Sequence, residues 1–251
     1  MKDDHDKSFV LSLLRNGGFQ VDLISESPNH KAPDLSVALP ESNVLVEVKS
    51  KEDDQKLRNL LESPKGTSLS YNVSVIETVL RDGYRQLRDF PDRYDSDFTL
   101  IWFITRKIGG VTVLVRPAAM PILYGIESLE GQTVDGDSFG PTNCYFFTES
   151  FFFKRKNLDG VVLHDDRSIE LCLNPFSPRH NALNGTKFMA FFRERYSVVD
   201  PGQLEAAGKC LIADCLVSRQ DPDGIVRYLK SKYGLGRVTI NRFSYVNCPV
   251  D

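Results

Sequence analysis

One stretch of this sequence, residues 33–50 with the letters PDLSVALPESNVLVEVKS, constrains the fold more than any other. Two β-favouring runs flank the letters PESN, which are typical of a four-residue hairpin turn. Because side chains alternate between the faces of a strand, Glu47 and Lys49 are predicted to share one face of the second run, and its valines the other. The chain is therefore predicted to build a hairpin with an apolar face and a charged face.

The same hairpin predicts which charged groups lie close together. With the turn centred between Glu41 and Ser42, Asp34 lies opposite Lys49 and diagonal to Glu47. Two carboxylates form the oxygen-rich site that Mg²⁺ or Mn²⁺ prefers, and an adjacent ammonium group can stabilise charge on phosphate oxygens. Asp34, Glu47 and Lys49 are thus the candidate catalytic residues, although Glu-x-Lys at a strand end is also typical of a solvated sheet edge.

The motif Pro33-Asp34, twelve further residues and then Glu47-Val48-Lys49 resembles the PD-(D/E)XK nuclease superfamily, which has the restriction endonuclease-like fold. The resemblance covers roughly residues 1–106 and implies a mixed α/β fold with a central mixed sheet flanked by helices. It implies that Asp34, Glu47 and the carbonyl of Val48 bind Mg²⁺ or Mn²⁺, and that Lys49 is the catalytic lysine. The implied activity is metal-dependent hydrolysis of phosphodiester bonds, by an endonuclease with DNA favoured as substrate.

A short helix is predicted over residues 6–16, ending at Gly17-Gly18. Asp6 falls in the middle of the arc that the apolar residues of this helix occupy. Members of the resembled family often carry an acidic residue here that faces the metal, so the resemblance makes Asp6 a further candidate ligand. Capping of the helix N-terminus is the competing interpretation, because aspartate is common at that position.

A longer helix is predicted over residues 73–90. Three arginines recur along it at helical spacing with a glutamine beside them: Arg81, Arg85, Arg88 and Gln86. Such a stripe can follow a phosphate backbone near the metal. Acidic residues lie four positions from each arginine, so ordinary surface ion pairing is an equally good interpretation. Some members of the resembled family have QxxxY in this helix, and Tyr84-Arg85-Gln86 departs from that spacing.

An almost continuous apolar run over residues 98–105, FTLIWFIT, predicts a central strand buried on both faces. A further strand over residues 111–116 is predicted to pair back as an antiparallel neighbour. These strands complete a predicted nuclease-like core over residues 1–116.

The remainder, residues 117–251, is predicted to be a β-hairpin and α-helical elaboration of that core. The hairpin is the stretch VVLHDDRSIELCL, in which Asp165 and Asp166 are interpreted as turn residues rather than a second acidic site. Helices are predicted over residues 188–196 and 203–218. No repeat or long linker separates the two parts, so a single domain and two domains both remain open.

Near the C-terminus the charge becomes one-sided. Arg227, Lys230 and Lys232 alternate with aromatic residues and no acidic residue lies among them. Basic side chains can neutralise phosphates while aromatic rings stack on bases, so this stretch is a candidate nucleic-acid-binding surface. A basic helix docked on an acidic body is the alternative interpretation.

Composition limits the functional classes. A net charge of −3 and a pI of about 5.9 exclude a chain that binds polyanions over its whole surface. The acidic N-terminus lacks the pattern of a signal peptide, so we expect a cytoplasmic protein without membrane contact. The five cysteines lack CxxC spacing, which favours reduced thiols over zinc. The rival to an enzyme is a non-catalytic module of the same fold that binds nucleic acid or a protein, and a homodimer is compatible with either.

Overall fold

The structure is a computed structural model that describes residues 2–25, 32–52, 73–90, 97–106, 115–165 and 167–241. The strands are β1 (Val21–Leu23), β2 (Leu35–Ala38), β3 (Asn43–Glu52), β4 (Phe98–Arg106), β5 (Glu127–Thr133), β6 (Ser138–Tyr145), β7 (Gly160–His164), β8 (Ile169–Leu173), β9 (Ser197–Val199), β10 (Leu211–Ile212) and β11 (Leu235–Asn241). The helices are α1 (Lys2–Asn16), α2 (Val73–Arg88), α3 (Val115–Tyr124), α4 (Phe151–Lys154), α5 (His180–Asn184), α6 (Lys187–Arg195), α7 (Pro201–Ala206) and α8 (Pro222–Tyr233).

These elements form two compact units. Among the described residues, the first unit contains those up to residue 116 together with 156–199, and the second contains 117–155 and 200–241. The sequence-based division at residue 116 had assigned 156–199 to the elaboration. The structure instead places this segment in the first unit, because β7, β8 and β9 extend the same sheet as β3 and β4.

A seven-stranded mixed sheet is the centre of the first unit, with the order β1-β2-β3-β4-β7-β8-β9. Strands β3, β4 and β7 run parallel to one another, whereas β1-β2, β2-β3 and β7-β8 are antiparallel pairs. Residues 98–105 of β4 are all buried, which confirms the central strand predicted from its apolar run. The predicted hairpin between β7 and β8 is also present.

Helices cover both faces of this sheet. On one face, Val10 of α1 and Phe188 of α6 belong to the same buried cluster as the β3 residues Val44, Val46 and Val48. On the other face, α2 lies against the side chains that alternate with those valines. At Gly83 of α2, an added Cβ would lie 3.4 Å from side-chain atoms of both Ile101 and Lys49. The large mixed sheet flanked by helices is therefore confirmed.

Two predicted elements differ from the structure. The predicted strand over residues 111–116 lies mainly outside the described residues, and Val115 and Arg116 begin α3. The predicted helix over 203–218 is wrong, because α7 ends at Ala206 and Gly208 takes a left-handed backbone conformation with φ +67°. The following β10 instead pairs in parallel with β6.

The second unit is built on a four-stranded sheet with the order β10-β6-β5-β11. Ile225 and Leu229 of α8 pack with Leu129 of β5 and Phe147 to form its core. Along the described part of the chain, no helix combines the length and the apolar character that crossing a membrane requires.

Candidate active site

The β2-β3 hairpin brings Asp34 close enough to Glu47 for their charges to interact. Leu35 pairs with Val46 and Ser36 with Leu45, and Asp34 lies just before these paired residues, where its N–H donates to the Val46 carbonyl over 3.1 Å. The register is two residues from the predicted one because Leu39 lies in the turn, where its N–H donates to the Ser42 carbonyl over 2.9 Å. A two-residue shift leaves every side chain on its predicted face, so the charged face survives.

Both carboxylate oxygens of Asp34 have partners. Oδ2 accepts a hydrogen bond from the backbone N–H of Val48 over 2.8 Å. Oδ1 lies 2.6 Å from Nζ of Lys7, a residue of α1. Asp34 is only 5% exposed, so these contacts compensate for the loss of hydration of its charge.

Glu47 is buried more completely and is less well satisfied. Its exposure is 1%, Oε1 lies 2.5 Å from Nζ of Lys49, and the buried Oε2 has no hydrogen-bond partner among the described residues. Burial, followed by repulsion from Asp34, raises the pKa of Glu47 from 4.5 to about 7. A buried carboxylate oxygen without a donor is energetically costly in a protein interior and is a suitable ligand for a divalent cation.

Lys49 is held between the sheet and α2. Its Nζ lies 2.5 Å from Oε1 of Gln86 as well as 2.5 Å from Oε1 of Glu47. Gly83 lies one helical turn before Gln86, and its lack of a side chain allows α2 to approach Lys49 closely. The ammonium group is therefore fixed in position beside the two carboxylates.

The carboxylate pair of Asp34 and Glu47 fits a cation, and Asp6 is a further predicted ligand on α1. Asp6 is buried, as its place in the apolar arc of α1 predicted. Among the residues that the structure describes, however, no three His, Cys, Asp or Glu side chains form a group that could hold a metal. Asp34 and Glu47 are the two side chains that would hold the ion, and Asp6 and the Val48 carbonyl remain predicted ligands.

The arginine stripe on α2 lies at the surface. Arg81, Arg85 and Arg88 are all exposed, whereas Gln86 is half-buried and contacts Lys49. Arg88 pairs with its neighbour Asp89 at 2.7 Å, and a nitrogen of Arg85 lies 3.8 Å from a carboxylate oxygen of Asp82. The partners differ from those predicted, but the ion-pairing interpretation describes Arg85 and Arg88.

Within the C-terminal basic stretch, the structure corrects the role of Lys232. Its Nζ lies 2.8 Å from carboxylate oxygens of both Glu205 and Asp214. Burial alone would lower the pKa of Lys232, but its hydrogen bonds to Asp214, Glu205 and Tyr233 outweigh this effect and raise the pKa above its ordinary value. Lys232 thus joins α8 to α7 and to the loop after β10, and it is not available to neutralise a phosphate.

The two other residues predicted in that stretch are more accessible. Arg227 is exposed, and one of its guanidinium nitrogens lies 3.7 Å from a carboxylate oxygen of Asp221. Lys230 is half-buried in the last turn of α8. Both belong to the second unit, whereas the carboxylate pair belongs to the first.

Lys7, which contacts Asp34 from the position next to Asp6, was not predicted from the sequence. A lysine on the first turns of a helix carries no signal that distinguishes it from a solvated side chain, so only the packing of α1 identifies it. Comparison with known proteins adds no relative, since no family model matches the chain and neither curated proteins nor solved structures give a significant match.

Proposed function

We propose that this chain is a metal-dependent nuclease with a restriction endonuclease-like fold that hydrolyses phosphodiester bonds, with DNA favoured as substrate. The observation that carries the proposal is the buried Oε2 of Glu47, which has no hydrogen-bond partner among the described residues and lies close to the charge of Asp34. A carboxylate in such a position destabilises the fold, and groups of this kind are concentrated at functional sites. Asp34 and Glu47 would hold Mg²⁺ or Mn²⁺, which as a Lewis acid supplies charge stabilisation at phosphoryl oxygens and activates water.

Lys49 provides the electrostatic part of the mechanism. Its ammonium group is fixed by Glu47 and Gln86, so it needs little reorganisation to stabilise the negative charge that grows on a phosphate oxygen during attack by water. Glu47 and Gln86 act as positioning residues in this respect, because each restrains the lysine side chain. The exposed arginines of α2 extend from the same helix and can contact a phosphate backbone.

The direct test is cleavage by the purified protein. Plasmid DNA, linear duplex, single-stranded DNA and RNA are each incubated with Mg²⁺ or Mn²⁺, and Asp34→Asn and Glu47→Gln are compared with the wild type. Both variants are expected to lose cleavage. Asp97→Asn is the matched control, because Asp97 is equally buried but accepts hydrogen bonds from the Asn43 backbone and side chain.

Each result has a definite meaning. If the wild type cleaves none of the four substrates with either metal, the enzyme proposal fails. If the protein binds nucleic acid but neither cleaves it nor binds Mn²⁺, it is instead a non-catalytic module. Loss of activity in Asp97→Asn as well would show that these substitutions act through the fold and not through the carboxylate pair.

A further inference from the structure

Helix α1 places a second lysine at the carboxylate pair. Lys7 Nζ lies 2.6 Å from Asp34 Oδ1, and the other oxygen of Asp34 accepts the Val48 N–H. The Lys7 side chain is 28% exposed, whereas that of Asp34 is 4% exposed. A buried carboxylate thus shares one of its two oxygens with an ammonium group that has access to solvent.

The two lysines of the site come from different elements, and their side chains are similarly exposed, 28% for Lys7 and 25% for Lys49. Lys49 is restrained by contacts with two side chains, one on β3 and one on α2. Lys7 comes from the first two turns of α1 and carries its charge on a flexible four-carbon stem. Because of its partial exposure, it can exchange one anionic oxygen for another without entering a buried position.

An ammonium group and a divalent cation compete for the same oxygen. A cation that binds Asp34 meets the positive charge of Lys7 at short range, and the repulsion falls if Lys7 turns toward another anion. In the proposed nuclease, the anion next to the metal is a phosphate of the substrate. Metal binding would thus release Lys7 at the place where a phosphate arrives.

From this geometry we infer that Lys7 is a competing counter-ion that couples cation binding to nucleic-acid binding. It neutralises Asp34 when no cation is bound, and it moves to a substrate phosphate when Mg²⁺ or Mn²⁺ occupies the carboxylate pair. Lys7 is therefore a substrate-positioning residue, and this inference rests on the proposed function.

The first test measures Mn²⁺ affinity by calorimetry without nucleic acid. Lys7→Gln is expected to bind Mn²⁺ about tenfold more tightly than the wild type, the effect of removing one positive charge on the order of 6 Å from a divalent cation under water-like screening. Lys7→Arg retains the charge and should bind as the wild type does. Lys187→Gln is the matched control, because it removes the same charge from an exposed position on α6 and should change affinity less than twofold.

The second test measures binding of a short DNA duplex in a Lys49→Met background, where cleavage is suppressed. Adding Lys7→Gln is expected to reduce the enhancement of DNA affinity by Mn²⁺ severalfold. It should also lower the log–log salt slope by about 0.9 with Mn²⁺ present and leave it unchanged without Mn²⁺. A lysine that only supports the fold would change neither quantity in a metal-dependent way.

The outcomes separate this inference from the proposed function. If the wild type binds Mn²⁺ and Lys7→Gln binds it equally or more weakly, the role of Lys7 is refuted while the metal site stands. If neither protein binds Mn²⁺, the metal site itself fails and the role of Lys7 with it. Should Lys7→Gln not fold, as judged by circular dichroism and thermal melting, Lys7→Met provides the uncharged variant. Failure of both uncharged variants to fold would assign Lys7 to structural support and overturn the inference.

Discussion

Replacing Glu47 with glutamine should stabilise the protein and remove a specific part of its pH dependence. The wild-type side chain is almost fully buried, and one of its oxygens has no hydrogen-bond partner among the described residues. The ionised form therefore destabilises the folded state relative to the neutral form. Glutamine has nearly the same shape and carries no charge, so Glu47→Gln isolates the contribution of ionisation.

The size and sign of the effect come from the pKa. Burial and the nearby Asp34 raise the pKa of Glu47 to about 7, against 4.5 for the unperturbed group. Between these two values the folded state binds more protons than the unfolded state, so the free energy of unfolding falls as the pH rises. Below pH 4.5 the group is protonated in both states and the penalty is absent. Above pH 7 the penalty is complete, on the order of 3 kcal/mol.

The assay is urea unfolding at a series of pH values from 5 to 8.5 with EDTA present, which prevents bound metal from stabilising the ionised form. The difference in unfolding free energy between Glu47→Gln and the wild type should increase with pH and level off above pH 7. Glu77→Gln, on the exposed face of α2, is the control and should show no such increase. A Glu47→Gln difference that is independent of pH would refute this account of the buried carboxylate.

Substitutions at three further residues test the arrangement around the site and in the second unit. Lys49→Met should lower the single-turnover cleavage rate on the order of a hundredfold. Its Mn²⁺ affinity, measured by calorimetry, should be retained or increased. A wild-type cleavage rate would show that Lys49 has no part in the mechanism. Lys232→Met should lower the free energy of unfolding in urea by about 1 kcal/mol, since Glu205 and Asp214 lose their shared cation. DNA affinity should not change. A loss of DNA affinity would show that Lys232 belongs to the binding surface. Gly83→Ala should be neutral or stabilise α2 by up to about 1 kcal/mol. Gly83→Leu should displace α2 from Lys49 and reduce the cleavage rate. Equal cleavage rates for the two variants would contradict this close packing.

The alternation of side chains between the two faces of the hairpin could be predicted because it depends only on local geometry. Successive side chains of a strand point to opposite faces, and this holds wherever the turn begins. The position of the turn could not be predicted, because Leu39 is β-favouring and nothing local marks the end of β2 before it. The register is therefore two residues from the predicted one, so that Ser36 lies opposite Leu45 instead of Glu47, while both glutamate and lysine stayed on the predicted face.

Contacts between elements were less accessible from the sequence. The contact of Gln86 with Lys49 and that of Lys7 with Asp34 depend on how α2 and α1 pack against the sheet, which no local pattern specifies. The incorrect helix over 203–218 has a different cause. Its apolar residues recur at helical spacing, but Gly208 ends the helix, and the next apolar residues complete a sheet edge as β10. Gly208 was the sequence signal for the end of the helix, but the helical spacing of the apolar residues was given more weight.

A comparison within the first unit distinguishes Glu47 from an acid that is buried for structural reasons. Asp159 is equally inaccessible, yet its carboxylate accepts hydrogen bonds from the Thr99 backbone, the Ser177 hydroxyl and the Arg179 guanidinium group. That network connects β4 and β7 to the segment before α5, and it satisfies both oxygens. Such an acid joins parts of the fold, and its burial is compensated by its partners.

Among the described residues, Glu47 does not join several parts of the fold as Asp159 does. Its described side-chain partner is Lys49, which Gln86 also holds, and its buried second oxygen has no donor among the described residues. A leucine or a glutamine at this position would remove the desolvation penalty and the repulsion between two carboxylates at no cost to the sheet ladder. Burial of an incompletely paired acid next to a second acid therefore opposes stability, and a cation bound between them is the interaction that would reverse the sign of this contribution.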